Sequence, residues 1–297
     1  MPHFADNLAA AMREKNSRIC VGIDPNFAKL PPALRKLGAD RREIIDAFYD
    51  FTTGVLDAVT DVAACVKFQS AYFEQYHVEG IEAYFSLVAE AKAKGLLVIG
   101  DVKRGDIGAT SEAYAAGHLD PIALEDAATP HAITVNPMLG LDTLEPFVDT
   151  ATRNDKGLFV LVRTSNPGSA ALQDVELKDG RTWSQALADQ LQSIAAQHVG
   201  ESGYSSVGAV VGATQPHTMV ELRKRLPNSV FLLPGYGAQG GKAETAKAAF
   251  DDDGLGALVS ASRSVLYAEP LEDEDWKQAI ARAAREMHVD VNRVVEA

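Results

Sequence analysis

Two lysines and two aspartates stand where they could hold and deliver a proton: Lys67, Asp101, Lys103 and Asp106. Asp101 and Lys103 are two residues apart, so on an extended strand their side chains point to the same side. Lys67 lies near the end of the preceding apolar run, and Asp106 follows in the turn Arg104–Gly105–Asp106. Opposite charges ~4 Å apart attract by about 4 kcal/mol at an effective dielectric near 20. Flanking carboxylates also favour the protonated form of a lysine. The set suits Lys103 as an amine kept charged for proton donation. The same four charges would also serve as an ordinary salt-bridge network.

Two further segments have phosphate chemistry. The first is Pro234-Gly-Tyr-Gly-Ala-Gln-Gly-Gly241, and the second is Ser262–Arg263–Ser264. Glycines let backbone N–H groups approach phosphate oxygens, and an arginine grips them through two parallel hydrogen bonds. A glycine-rich turn alone reads equally as a flexible loop. Its pairing with Arg263 at the end of the next apolar run favours a phosphate site. Four glycines in eight residues also suit a lid that closes on a ligand.

The elements that must position these residues alternate along the chain. Eight short apolar or β-branched runs are predicted as strands: Ile19–Asp24, Ala64–Gln69, Leu96–Asp101, Ala132–Asn136, Leu158–Arg163, Val207–Gly212, Val230–Pro234 and Gly256–Ser260. Helical spacing is found over Arg42–Val59, Gly80–Lys94, Trp183–His198 and Thr218–Arg225. Asp142 and Ser184 are candidate N-caps for helices over Thr143–Thr150 and Gln185–Gln197. Strands with little polar alternation, each followed by a helix, indicate a parallel sheet covered by helices. Eight such units predict a single-domain (β/α)8 TIM barrel over residues 1–297, with an open doubly wound sheet as the alternative. Asn166–Arg181 lacks periodicity and is predicted as a long loop after strand five.

In such a barrel, active sites sit at the C-terminal ends of the strands. Those ends carry Asp24, Lys67, Asp101 with Lys103, Asn136, Arg163 with Ser165, and Arg263. Other conspicuous residues read as structural. His77, His118 and His198 fall in helical stretches, and no histidine–carboxylate set has metal-ligand spacing. Glu272–Asp275 reads as a solvated helix start, and Phe48, Phe51, Tyr84 and Phe85 read as core.

Composition narrows the class. The 297 residues are 46% hydrophobic, enough for a large core, and carry a formal net charge of −13. That charge argues against non-specific binding to nucleic acid or to an anionic membrane. It leaves room for a small anion gathered by a few basic residues in one pocket. The two cysteines, Cys20 and Cys65, lie in apolar runs and read as buried reduced thiols. Neither an apolar signal core nor a membrane-length apolar run is present, so a cytoplasmic protein is expected.

The segment Asp101-Val-Lys103-Arg-Gly-Asp106-Ile107-Gly108-Ala-Thr110 resembles the DxKxxD-[IV]-[GP]-x-T signature of the orotidine 5'-monophosphate decarboxylase family. Gly22-Ile23-Asp24, Val66-Lys67-Phe68, Pro234–Gly241 and Arg263 extend the resemblance, in order, across nearly the whole chain. The length, with a loop after strand five, is similar to the larger bacterial members.

The resemblance implies conversion of orotidine 5'-monophosphate to uridine 5'-monophosphate in pyrimidine biosynthesis, without cofactor or metal. It implies that Lys103 protonates C6 of the pyrimidine, that Asp101 lies near the substrate carboxylate, and that Lys67 and Asp106 complete the charged network. Asp24 would hold a ribose hydroxyl and Ser165 the pyrimidine amide. Gln239 would bridge the lid to phosphate and base, and Arg263 would bind phosphate. It further implies a homodimer with shared sites, in which Asp106 and Thr110 act in trans. Two positions depart from the pattern. Ser262 stands where glycine often precedes the phosphate arginine, and the Asn166–Arg181 insertion adjoins Ser165.

Three other readings compete. Phosphosugar enzymes such as 3-keto-gulonate 6-phosphate decarboxylase and hexulose phosphate synthase share the barrel and the DxKxxD motif, but use Mg2+. A Schiff-base aldolase would need an uncharged lysine, which Asp101 and Asp106 disfavour. A non-catalytic phosphate-binding barrel would leave the lysine–aspartate set unexplained.

Overall fold

A computed structural model describes residues 3–121, 126–212, 216–237 and 243–296. Eight parallel strands close into a barrel in sequence order. They are β1 (Ile19–Ile23), β2 (Cys65–Gln69), β3 (Leu97–Arg104), β4 (Ala132–Val135), β5 (Gly157–Arg163), β6 (Ser205–Val211), β7 (Ser229–Pro234) and β8 (Ala257–Ala261). β1 pairs with both β2 and β8, so no sheet edge is left open. The closed barrel excludes the open doubly wound sheet. The strand limits match the apolar runs within a few residues, and the main difference is at β3, which continues to Arg104.

Burial divides the core in two. One layer lies between the strands and the surrounding helices, with Phe48, Phe51, Leu87, Val88, Phe147 and Leu191 among its fully buried residues. The other fills the barrel interior with Cys20, Cys65, Ile99, Ala132, Phe159, Leu232 and Leu258. Cys20 and Cys65 are register partners on β1 and β2, and both are free, fully buried thiols.

The N-terminal end of the barrel is sealed by a helix over Phe4–Glu14. Phe4, Ala5, Leu8, Ala9 and Met12 form its buried face and join the interior cluster. Phe4 packs edge-on against Phe159 at 6.0 Å, in space left by Gly157, where a Cβ would collide with the Phe4 ring. Burying a residue of this size contributes about 1.5–3 kcal/mol. The apolar plug leaves the opposite, C-terminal end of the barrel for polar chemistry.

Three local expectations are corrected. The helix expected over Thr143–Thr150 spans Glu145–Arg153, and Asp142 lies in a 3-10 turn before it rather than at its cap. Pro146 explains the shift, because proline is suited to the first helical turn. The helix after β5 spans Trp183–Ala195 and is capped by Thr182, not Ser184. The Thr182 hydroxyl accepts from the Gln185 N–H while the Gln185 side chain accepts from the Thr182 N–H, a reciprocal capping box. His198 therefore lies beyond the helix end.

Asn166–Arg181 is also more ordered than a plain loop. It contains a 3-10 turn over Pro167–Ser169, a helical turn over Ala170–Gln173 and an antiparallel bridge between Glu176 and Thr182. Arg163, 4% exposed at the end of β5, anchors it through two hydrogen bonds of 2.8 Å to Asp174. The helix start expected at the acidic run Glu272–Asp275 is found: Asp275 caps the helix Trp276–Val295. Among the described residues, no helix is long and apolar enough to cross a membrane.

Candidate active site

The C-terminal end of β2 and β3 builds one charged cluster. Lys67 Nζ donates to Asp101 Oδ2 at 2.7 Å, and Lys103 Nζ donates to Asp101 Oδ1 at 2.5 Å. Two neutral donors complete the shell. Gln69 Nε2 reaches Oδ2 at 3.1 Å from β2, and Thr134 Oγ1 reaches Oδ1 at 2.9 Å from β4. Both oxygens of Asp101 are thus engaged twice.

The cluster is graded in exposure. The side chains of Lys67 and Asp101 are each 8% exposed, whereas that of Lys103 is 45% exposed. Burial opposes ionisation of Asp101, but the adjoining ammoniums of Lys67 and Lys103 outweigh it and hold the carboxyl well below its usual range. Burial likewise disfavours a charged Lys67, yet Asp101 and then Asp24 reverse the effect and push its pKa up. Both groups are ions at neutral pH despite lying in the barrel interior.

Asp101 and Lys103 meet as the sequence spacing predicts, but not on a regular strand. β3 bulges between Gly100 and Arg104, and Lys103 adopts φ +46°. A side-chain-bearing residue in such a conformation costs about 1–3 kcal/mol and persists only when its surroundings hold it.

Asp106 does not join the other three within one chain. It sits in the turn before the helix Gly108–Leu119, and its Oδ1 accepts from the Ile107 N–H at 2.8 Å. Among the described residues it forms no ion pair, and Thr110 is exposed in the first turn of the same helix. Lys103 has Asp101 as its sole carboxylate within ion-pairing distance among the described residues.

The remaining predicted positions ring the mouth. Asp24 follows β1 directly, and its Oδ1 is buried with no hydrogen-bond partner among the described residues. Its backbone oxygen is fixed by the Tyr267 hydroxyl at 2.8 Å, and that hydroxyl accepts from Asn26 N–H at 2.9 Å. Ser165 is half-buried two residues beyond β5, against Gly212 at the end of β6. Arg263 begins a single helical turn after β8, exposed and without a carboxylate partner among the described residues. Ser262 packs against Gly22, where any Cβ would collide with the serine hydroxyl. Gly235 and Gly237 have φ of +101° and +70°, which suits a turn that glycine alone adopts readily. Gln239 lies outside the described residues.

Gln69 and Thr134 were not singled out from the sequence, although each is a polar residue in an otherwise apolar run. Arg163 is not free to meet a ligand, because Asp174, Ser169 and the Thr164 carbonyl occupy its donors. A depression of about 770 Å³ runs along Trp276–Val295. Its Arg282 and Arg293 are already paired with Glu274 and Asp290. Among the described residues, no three or more His, Cys, Asp or Glu side chains are grouped to hold a metal ion.

This barrel matches the family model described as Orotidine 5'-phosphate decarboxylase / HUMPS over residues 17–278. The chain belongs to that family. It is 41% identical over 300 residues to an orotidine 5'-phosphate decarboxylase of Rhodopirellula baltica, covering 97% of this chain and 98% of the relative. Its identity to the enzyme of that name from Clostridium botulinum strain Langeland is 40%, covering 89% of each. Among solved structures, the OMP decarboxylase of Leishmania donovani superposes with a TM-score of 0.78 at 30% identity, over 99% of this chain and all of the other. The matched span contains every residue of the cluster.

Removing Asp101 strands the buried ammonium of Lys67. Asp101→Ala is expected to cost about 3–5 kcal/mol at neutral pH, measured by urea unfolding. A carboxylate with a depressed folded-state pKa contributes stability that is complete above its unfolded value, near 3.9, and is lost as pH falls further. The difference between parent and variant should therefore shrink below about pH 4. A difference that stays constant down to pH 2 would contradict this.

Proposed function

We propose that the chain decarboxylates orotidine 5'-monophosphate to uridine 5'-monophosphate at the C-terminal mouth of the barrel, with Lys103 as the proton donor to C6. The observation that carries this reading is the Lys67–Asp101–Lys103 cluster, set at the strand ends of a barrel whose family match spans residues 17–278.

Loss of CO2 leaves electron density at C6. A preorganised ammonium in a site poor in water stabilises that charge and then neutralises it by proton transfer. Lys103 suits this role because its ammonium is held by Asp101 on one side and exposed toward the mouth on the other. Asp101 would lie beside the substrate carboxylate, and Lys67 keeps Asp101 ionised. Among the described residues the Asp24 oxygen has no partner and Arg263 no carboxylate, which suits them to a ribose hydroxyl and to the phosphate, with Ser165 at the pyrimidine amide. Gln239 is assigned to phosphate and base on the family resemblance alone. The phosphate does not react, but its binding energy can drive closure over the ring and lower the barrier there.

A Mg2+-dependent phosphosugar reaction is the rival within the family. It would require Asp101 or its neighbours as metal ligands. Here both Asp101 oxygens already face Lys67, Lys103, Gln69 and Thr134.

The active form in this reading is a homodimer, in which Asp106 and Thr110 reach the partner's site. Two features support it. Among the described residues Asp106 has no ion pair in its own chain, while Lys103 is open on one side. Ile107, Tyr114, Met138 and Leu139, on the segments following β3 and β4, are 62%, 37%, 57% and 56% exposed. Exposed apolar side chains on these two segments suit an interaction surface.

Purified protein in excess EDTA should convert orotidine 5'-monophosphate to uridine 5'-monophosphate, followed as loss of substrate absorbance. No conversion by folded, nucleotide-binding protein would transfer the assignment to the metal-dependent relatives. For the dimer, subunits of inactive Lys67→Ala and inactive Asp106→Ala are mixed. Shared sites predict recovered activity, because a hybrid assembles one intact site. Absence of recovery after demonstrated subunit exchange would contradict sharing.

A further inference from the structure

Three residues of β3, Asp101, Val102 and Lys103, oppose a single residue of β4, Thr134. The bulge is what brings Lys103 to φ +46° and folds its amine back onto Asp101. The Thr134 hydroxyl is engaged in both directions at this point. It accepts from the Lys103 backbone N–H at 2.9 Å and donates to Asp101 Oδ1 at 2.9 Å. That carboxylate oxygen is the one that receives Lys103 Nζ. One hydroxyl, 1% exposed, therefore ties the backbone of Lys103 to the group that holds its side chain.

We propose that Thr134 is a positioning residue for the decarboxylation: its hydroxyl locks the β3 bulge so that Lys103 and Asp101 face the substrate in one fixed register. This rests on the reading of Lys103 as the proton donor. A hydroxyl has one proton and two lone pairs. The proton is committed to the carboxylate, so a lone pair is turned to the Lys103 N–H, and neither bond can rotate away without losing the other. A lysine side chain is long and flexible, so fixing its backbone is what limits where the ammonium rests. Thr134 acts on the reaction only through Lys103 and Asp101.

The test compares Thr134→Val, which keeps the shape and removes the hydroxyl, with Thr134→Ser, which keeps the hydroxyl. Steady-state kcat and KM for orotidine 5'-monophosphate, affinity for uridine 5'-monophosphate, and thermal unfolding are measured for each. Thr134→Val should lower kcat on the order of 10²-fold, the loss expected from misplacing a reacting group by about 1 Å. Nucleotide affinity should stay close to that of the parent, and Thr134→Ser should recover most of kcat. Parental kcat in Thr134→Val would overturn the proposal. So would a Thr134→Ser variant as impaired as Thr134→Val, because then the hydroxyl is not what matters. If Thr134→Val does not fold, Thr134→Ala measured against Thr134→Ser makes the same comparison. Lys103→Ala is assayed alongside. Full activity there would remove the reading beneath the proposal, whereas inactive Lys103→Ala beside fully active Thr134→Val would overturn the proposal alone.

Discussion

A carboxylate almost sealed from water, Asp101, holds two ammonium groups at once, and the polar end of the barrel is organised around that contact. Taking ions out of water costs several kcal/mol each, and their attraction offsets this only with good geometry and every remaining lone pair satisfied. Asp101 meets that condition through four donors drawn from three strands. β2 supplies Lys67 and Gln69, β3 supplies Lys103, and β4 supplies Thr134. A slip in the register of β2 against β3 would leave a buried charge without its partner. The network is thus both a constraint on folding and a source of fixed electrostatic field for chemistry.

The two ends of the barrel are built differently. The end plugged by Phe4–Glu14 is apolar and closed, so packing there fixes the strands without polar groups. The other end carries the bulge, the left-handed Lys103 and the unpartnered Asp24 oxygen. Local strain is tolerated at this end because the rest of the strand set is over-determined by packing. The insertion after β5 extends this frame. Arg163 ties it down through Asp174, next to Ser165, and Arg181 and Arg225 share Asp189 beneath it.

The eight strands are legible in the sequence because fully buried parallel strands form short continuous apolar runs, whereas the covering helices repeat with a longer period. Lys67, Asp101 and Lys103 are legible for the opposite reason: ions at the ends of such runs are too costly to be incidental. What spacing does not reveal is how they meet. The two-residue offset of Asp101 and Lys103 predicts contact through regular alternation, yet contact comes from a bulge pinned by Thr134. That depends on the register of β3 against β4, which is a non-local property. Thr182 was readable as a cap from Gln185 three residues on, and Ser184 only competes with it locally. Asp106 belongs to the same motif but sits apart from the cluster within one chain, and no pattern in a single sequence states which chain it serves.

The most direct test of the central claim, that Lys103 delivers the proton, is turnover of orotidine 5'-monophosphate by Lys103→Ala, with binding of uridine 5'-monophosphate measured on the same preparation. Loss of the donor and of its charge should reduce turnover by at least about 10³-fold. Binding of the product nucleotide should be largely retained, because the proposal assigns the phosphate, ribose and base to other residues. A folded Lys103→Ala variant with near-parental turnover would contradict the account.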